Sequence, residues 1–144
     1  MIVPDANLLL YAYDAASLFH SRSASWWSAC LSGSETVGLC PAVIFAFVRI
    51  GTSARAFAEP LTVAQASGHV ESWLKQPVAQ ILEMDSADIH KALELLRAAG
   101  TGGNLTTDAQ LAALSLRYGA VVHTADSDFA RFPEVRWHNP LQER

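Results

Sequence analysis

Aspartates placed where strand patterns stop carry the chemistry legible in this sequence. Residues Val121–Phe129 read V-V-H-T-A-D-S-D-F, two β-branched residues leading into a polar run that holds Asp126 and Asp128. A buried strand ending at an acidic crevice has this form. The start of the chain repeats it, with Ile2 and Val3 running into Asp5. Parallel α/β sheets bind ligands outside the carboxyl ends of their strands. If the two strands are neighbours and point the same way, Asp5 and Asp126 converge. A third carboxylate, Asp108, falls in the first turn of a helical pattern, where the helix dipole favours the ionised form.

Crowded carboxylates repel, and each raises its neighbours' pKa unless a cation joins them. Hard divalent ions such as Mg²⁺ take oxygen ligands of this kind. Metal held by carboxylates is suited to hydrolysing phosphodiesters, because it acidifies a bound water and stabilises charge growing on phosphate. Each acid alone has a plainer reading: Asp108 as a helix-start acid, Asp126 as a solvated loop acid, Asp128 as a turn former. Together, with Asp5 closing the first strand, they favour a site. No Ser/His/Asp elbow, P-loop or Gly-rich dinucleotide fingerprint competes. The five histidines show no ligand spacing; His20, His69, His90 and His138 read as partly exposed and His123 as a packed strand-end residue. Cys30 and Cys40 read as buried thiols in a reducing compartment.

The elements that must position these acids alternate in type. Strand patterns at Met1–Asp5, Thr36–Cys40, Val78–Met84 and Val121 onward, with a short edge strand at Trp137, are separated by helical ones. Asn7 is placed to cap a helix through Leu8–Tyr13, and His20–Leu31 reads as a second, with Trp26 and Trp27 about 100° apart on it. Pro41 opens a third, apolar nearly all round until Arg49, which should lie deep or at a subunit interface. Thr62 and Gln65 form a capping box for a fourth, with Val63, Ala66, Val70, Trp73 and Leu74 as its apolar stripe. A fifth helix, capped by Asp85 or Ser86, should turn Ile89, Ala92, Leu93 and Leu96 inward. Thr107 and Gln110 have capping-box spacing for a sixth. The pattern argues an α/β fold with a short, mostly parallel sheet of four to five strands and helices on both faces.

A length of 144 residues suits one domain, 1–144. The net charge of −4 speaks mildly against a simple nucleic-acid-binding module, though acids gathered at one metal site would soften that objection. No apolar run reaches the roughly 18–20 residues needed to span a bilayer, and no secretory leader is read, so a cytoplasmic protein is expected. Half the residues are apolar, which raises the expectation of a covered surface, whether by a partner or by a second copy.

Three stretches resemble one known family: P-D-A-N-L-L-L-Y-A at Pro4–Ala12, N-L-T-T-D-A-Q-L-A-A-L at Asn104–Leu114, and T-A-D-S-D-F-A-R-F at Thr124–Phe132. They look like PIN domains, and more narrowly like the toxins of VapBC toxin–antitoxin pairs; the similarity runs nearly the whole chain, to R-W-H-N-P-L at Arg136–Leu141. The resemblance implies a PIN-like three-layer α/β/α fold and a Mg²⁺- or Mn²⁺-dependent endoribonuclease. It further implies a homodimer and a small inhibitory antitoxin of the VapB type. It carries the metal ligands onto Asp5, Asp108 and Asp126, with Asp128 a further acid beside them and Asn7 and Thr124 as polar supports. Many members carry a Glu on the third helix. By register it would fall near Ala46, and no acid stands between Glu35 and Glu59. The number of metals is therefore left open. Arg49 and Arg131 are placed to meet an RNA phosphate or an antitoxin acid, or are plain surface arginines.

Two rivals remain beside the ribonuclease. The missing third-helix acid suggests a PIN-like protein that binds RNA or a partner without cutting. A phosphotransfer fold is the weaker rival: D-A-N stands where a phosphatase would want D-x-D, and no lysine follows Lys91 to serve a receiver domain.

Overall fold

Among the described residues, five short strands form one sheet: β1 (Ile2–Pro4), β2 (Val37–Leu39), β3 (Ala79–Ile81), β4 (Val121–His123) and β5 (Trp137–His138). Their spatial order is β3-β2-β1-β4-β5, and every neighbouring pair is parallel. The computed structural model describes residues 1–142; the last two residues of the expected 1–144 domain lie outside the described residues.

Six helices connect the strands: α1 (Ala6–Tyr13), α2 (His20–Ser32), α3 (Pro41–Gly51), α4 (Val63–Leu74), α5 (Ser86–Ala99) and α6 (Leu105–Tyr118). From β1 the chain steps outward to β2 and β3, then returns through α5 and α6 to β4 on the other side of β1. Right-handed crossovers of this order put α1–α4 on one face and α5–α6 on the other. The packing follows: α1 lies against α2 and α3, α3 against α4, and α5 against α6. This is the three-layer α/β/α arrangement, with five strands at the upper end of the expected number.

The core on the α1–α4 face is aromatic. Trp73 meets Trp27 edge-on with ring centroids 5.4 Å apart, and Phe47 at 4.8 Å. Its indole N–H donates to the Tyr13 hydroxyl at 2.8 Å, so the one polar atom of the ring is satisfied. Each such ring pair contributes about 0.5–1.5 kcal/mol beyond the area it buries. Trp27 is thus the core member of the Trp26–Trp27 pair. Gly38 sits where β2 passes closest to its neighbours: a Cβ there would fall 2.8 Å from Leu82 Cδ1. Cys30 and Cys40 are free and buried, as expected of inert thiols.

The Thr62–Gln65 capping box forms as the spacing predicts, and Asp85 caps α5 in a second box with Asp88. Several helical details differ from expectation. The inward face of α5 is Asp88, Ala92 and Leu95, while Ile89 and Leu93 are half exposed. The rotation has a polar cause: Arg117 Nη1 of α6 donates to the buried Asp88 Oδ2 at 2.6 Å, and this charge-assisted bond turns the helix. On α4, Ala66, Val70 and Trp73 are buried, but Val63 and Leu74 are exposed. Helix α6 begins at Leu105, earlier than a Thr107 cap allows, and its N-cap Asn104 makes no side-chain capping bond.

Candidate active site

The β1–β4 pairing decides the site. Ile2, Val3 and Pro4 lie opposite Val121, Val122 and His123, so the next residues, Asp5 and Thr124, emerge side by side at the carboxyl end of the sheet. The connection from β1 leaves toward β2 and that from β4 leaves toward β5. Strand order reverses between them, and such switch points open the crevice where α/β sheets bind ligands.

Asp5 is 7% exposed. Its backbone N–H donates to the His123 carbonyl at 2.9 Å, which extends the sheet by one bond and fixes the residue. Its side chain caps α1: Oδ1 accepts from Ala6 N at 2.7 Å. The expected cap, Asn7, lies inside the helix and does something else. Asn7 Nδ2 donates to Asp5 Oδ2 at 3.3 Å and to Thr124 Oγ1 at 3.2 Å, while its Oδ1 accepts from Ala125 N at 3.3 Å. Thr124 is fully buried, and its hydroxyl donates to Asp5 Oδ2 at 2.8 Å. The Thr124 hydroxyl oxygen also accepts from Asp126 N at 2.9 Å. Asp126 then caps the 3-10 turn Ser127–Arg131, its Oδ1 accepting from Asp128 N at 2.8 Å. One hydrogen-bonded chain therefore links both strand ends. Asn7 and Thr124 are the polar members of that chain beside the acids.

Asp108 enters from the first turn of α6. Burial pushes its carboxyl up to about 7, and the charges of Asp5, Asp126 and Asp128 push in the same direction. Burial also raises Asp5; the Thr124 and Ala6 hydrogen bonds oppose it, and Asp126 adds to it. Asp108 thus feels the charges of the other three aspartates, and Asp5 that of Asp126. Among the described residues, no three acidic, histidine or cysteine side chains are drawn together into a group that could hold one ion as they stand. Oxygen donors of this kind, partly buried and raised in pKa, fit a hard divalent cation.

Ala46 is half-buried on α3, with no acid on that helix. Arg49 is exposed at the end of α3, and Arg131 is exposed at the end of the 3-10 turn that begins beside Asp126. His123 is packed, as expected: its Nδ1 accepts from Trp26 Nε1 at 3.0 Å, which makes Trp26 a tie from α2 to β4. No sequence motif marks this tie, which spans 97 positions.

The sequence matches the PIN domain family over residues 2–135. It is 44% identical over 143 residues to Ribonuclease VapC33 of Mycobacterium tuberculosis, covering 99% of this chain and 100% of that one. It is 39% identical over 140 residues to Ribonuclease VapC37 of the same organism, covering 97% of each. Among solved structures it superposes on the Mycobacterium tuberculosis toxin VapC20, described as cleaving the Sarcin-Ricin loop, with a TM-score of 0.71 over 94% of this chain and 99% of that one, at 18% identity. VapBC2 from Rickettsia felis, bound to a DNA fragment from its promoter, gives 0.68 over 96% and 98%, at 17% identity. At these identities the two structures speak for the fold alone.

Proposed function

The chain belongs to the PIN domain family, and from that premise we propose that it is an endoribonuclease of the VapC kind, the toxin of a type II toxin–antitoxin pair, dependent on Mg²⁺ or Mn²⁺. The observation that carries this reading is the charge crowded on Asp108, raised to about 7 by burial and by Asp5, Asp126 and Asp128, beside the β1–β4 switch point where Asp5 and Thr124 emerge together.

Asp5, Asp108 and Asp126 would hold the cation, with Asp128 beside them. When bound, a divalent ion supplies charge neutralisation at the scissile phosphate and acidifies an attacking water. The chain's own contribution is orientation. Thr124 and Asn7 hold Asp5 Oδ2 from two sides, and Asp5 Oδ1 is turned by the start of α1. The Asp128 N–H fixes Asp126. Water is the nucleophile in this reading: it attacks phosphorus directly, and the leaving oxygen departs in one displacement with no covalent intermediate. Arg49 and Arg131, both exposed, are available to phosphates of the strand or to acids of an antitoxin.

Relatives at 44% and 39% identity are themselves named ribonucleases, so a PIN-like protein that binds without cutting is not favoured. VapBC complexes among the structural neighbours support a small VapB-type antitoxin as partner, and a homodimer accords with the family. No helix among the described residues is long and apolar enough to cross a membrane.

Purified protein incubated with single-stranded RNA should release fragments in Mn²⁺ or Mg²⁺ and none in EDTA. RNA left whole in both metals would refute the ribonuclease reading.

A further inference from the structure

We propose that Tyr11 and Phe19 form a platform on which a base of single-stranded RNA stacks, one nucleotide step from the acidic crevice. The proposal rests on the ribonuclease reading and adds a substrate-binding subsite to it.

Asn7 and Tyr11 are four apart on α1 and share a face, with Tyr11 about 6 Å further along the axis. Asn7 touches Asp5 and Thr124, so that face begins at the site. Tyr11 is half-buried and meets the Phe19 ring at a centroid distance of 5.1 Å, tilted by 46°. Phe19 keeps 44% of its surface exposed.

The loop carrying Phe19 is ordered by its own hydrogen bonds. Asp14 Oδ1 accepts from Ala16 N, the Asp14 carbonyl from Ser17 N, and Ser17 Oγ from Phe19 N. His20 Nδ1 lies 3.1 Å from the Tyr11 carbonyl and ties the loop's end to α1. Phe19, half exposed on a braced loop and backed by the Tyr11 ring, offers an aromatic ring at little entropic cost.

Charge favours a base as occupant. The chain has a net charge of −4 and several acids at the site, so phosphate contacts alone are a poor source of RNA affinity. Stacking on aromatic rings binds any base without needing positive charge. Leu18 beside the platform is 97% exposed; an apolar segment of a protein partner is the competing occupant, and the test separates the two.

A short single-stranded RNA carrying 2-aminopurine is titrated with protein in Ca²⁺, and its fluorescence is followed. The parent should quench the probe. F19A and F19L should weaken binding roughly 5- to 100-fold, and F19W should restore it. F19L keeps apolar bulk but loses the flat face, so it distinguishes stacking from simple apolar docking. Phe19 makes no side-chain capping bond to α2, and circular dichroism checks that each variant stays folded. An F19L protein that binds RNA like the parent, or a parent that leaves the probe unquenched, overturns the proposal. Stacking without any metal-dependent cleavage would sink the ribonuclease reading but leave the platform standing; cleavage indifferent to F19L would do the reverse.

Discussion

Thr124 Oγ1 donates to Asp5 Oδ2 at 2.8 Å, joining residues 119 positions apart, and is itself buried out of reach of water. A hydroxyl has one proton and two lone pairs. The proton goes to Asp5, and the lone pairs take Asp126 N and Asn7 Nδ2.

Thr124→Val keeps the shape and removes all three bonds. It should lower metal affinity or cleavage rate by roughly 10–100-fold, the range for losing a group that orients a ligand. It should also cost about 1–3 kcal/mol of stability, because a buried carboxylate oxygen and an N–H lose their partner. Thr124→Ser should retain most of both. Metal titration and thermal melts check this, and a T124V protein that matches the parent in both would remove Thr124 from the site.

Asp5→Asn should cut RNA slower than the parent by more than that same roughly 10–100-fold, yet remain folded. Asparagine is as good an N-cap as aspartate, so the bond from Ala6 N survives. Cleavage at the parental rate in Mn²⁺ would show that Asp5 holds no metal.

Asp108 links stability to pH. Its carboxyl lies near 7 in the folded chain against an ordinary 3.8, so the folded state holds that proton more tightly than the unfolded one. The ionised group destabilises fully above pH 7, and its cost fades as pH falls from about 7 toward 4. His123 acts in the opposite sense. Burial, then His138, pushes it down to about 4, and the stability its neutral form contributes above 6.5 is lost as pH falls through the same window. Comparing the parent with Asp108→Asn at each pH cancels the histidine. The metal-free variant should melt higher at pH 7.5, with the gap closing near pH 4. Mn²⁺ should raise the parent's midpoint and leave the variant's nearly unchanged. A gap that ignores pH would refute the electrostatic account.

Arg117→Met should destabilise the fold by stranding the buried Asp88 carboxylate. Adding Asp88→Leu should recover part of the loss, because an unpaired buried charge is worse than none. Melts of the two single variants and the double form the test; losses that simply add would mean the pair is not coupled.

The strand ends were the most legible part of the chain. Asp5 and Asp126 follow β-branched runs, Asp108 opens a helix, and those local patterns suffice to bring acids to one edge of a parallel sheet. The Asp5 cap on α1 was less visible, since Asn7 is the better-looking capping residue until His123 fixes the Asp5 backbone. Ile89 and Leu93 mislead because α5 is rotated by an ion pair to Arg117, 29 residues from Asp88. The Trp26–His123 bond spans 97 positions. Interactions at such separations depend on tertiary packing, which local propensity does not encode.

Strand β1 holds the middle of the sheet although it is made first, and one of its two neighbours is made nearly last. A ribosome releasing this protein therefore exposes Asp5 long before Thr124 and Asp126 exist to meet it. A translation product cut short before β4 would lack Thr124, Asp126 and Asp128, and Asp5 would stand at a sheet edge with no neighbour on that side.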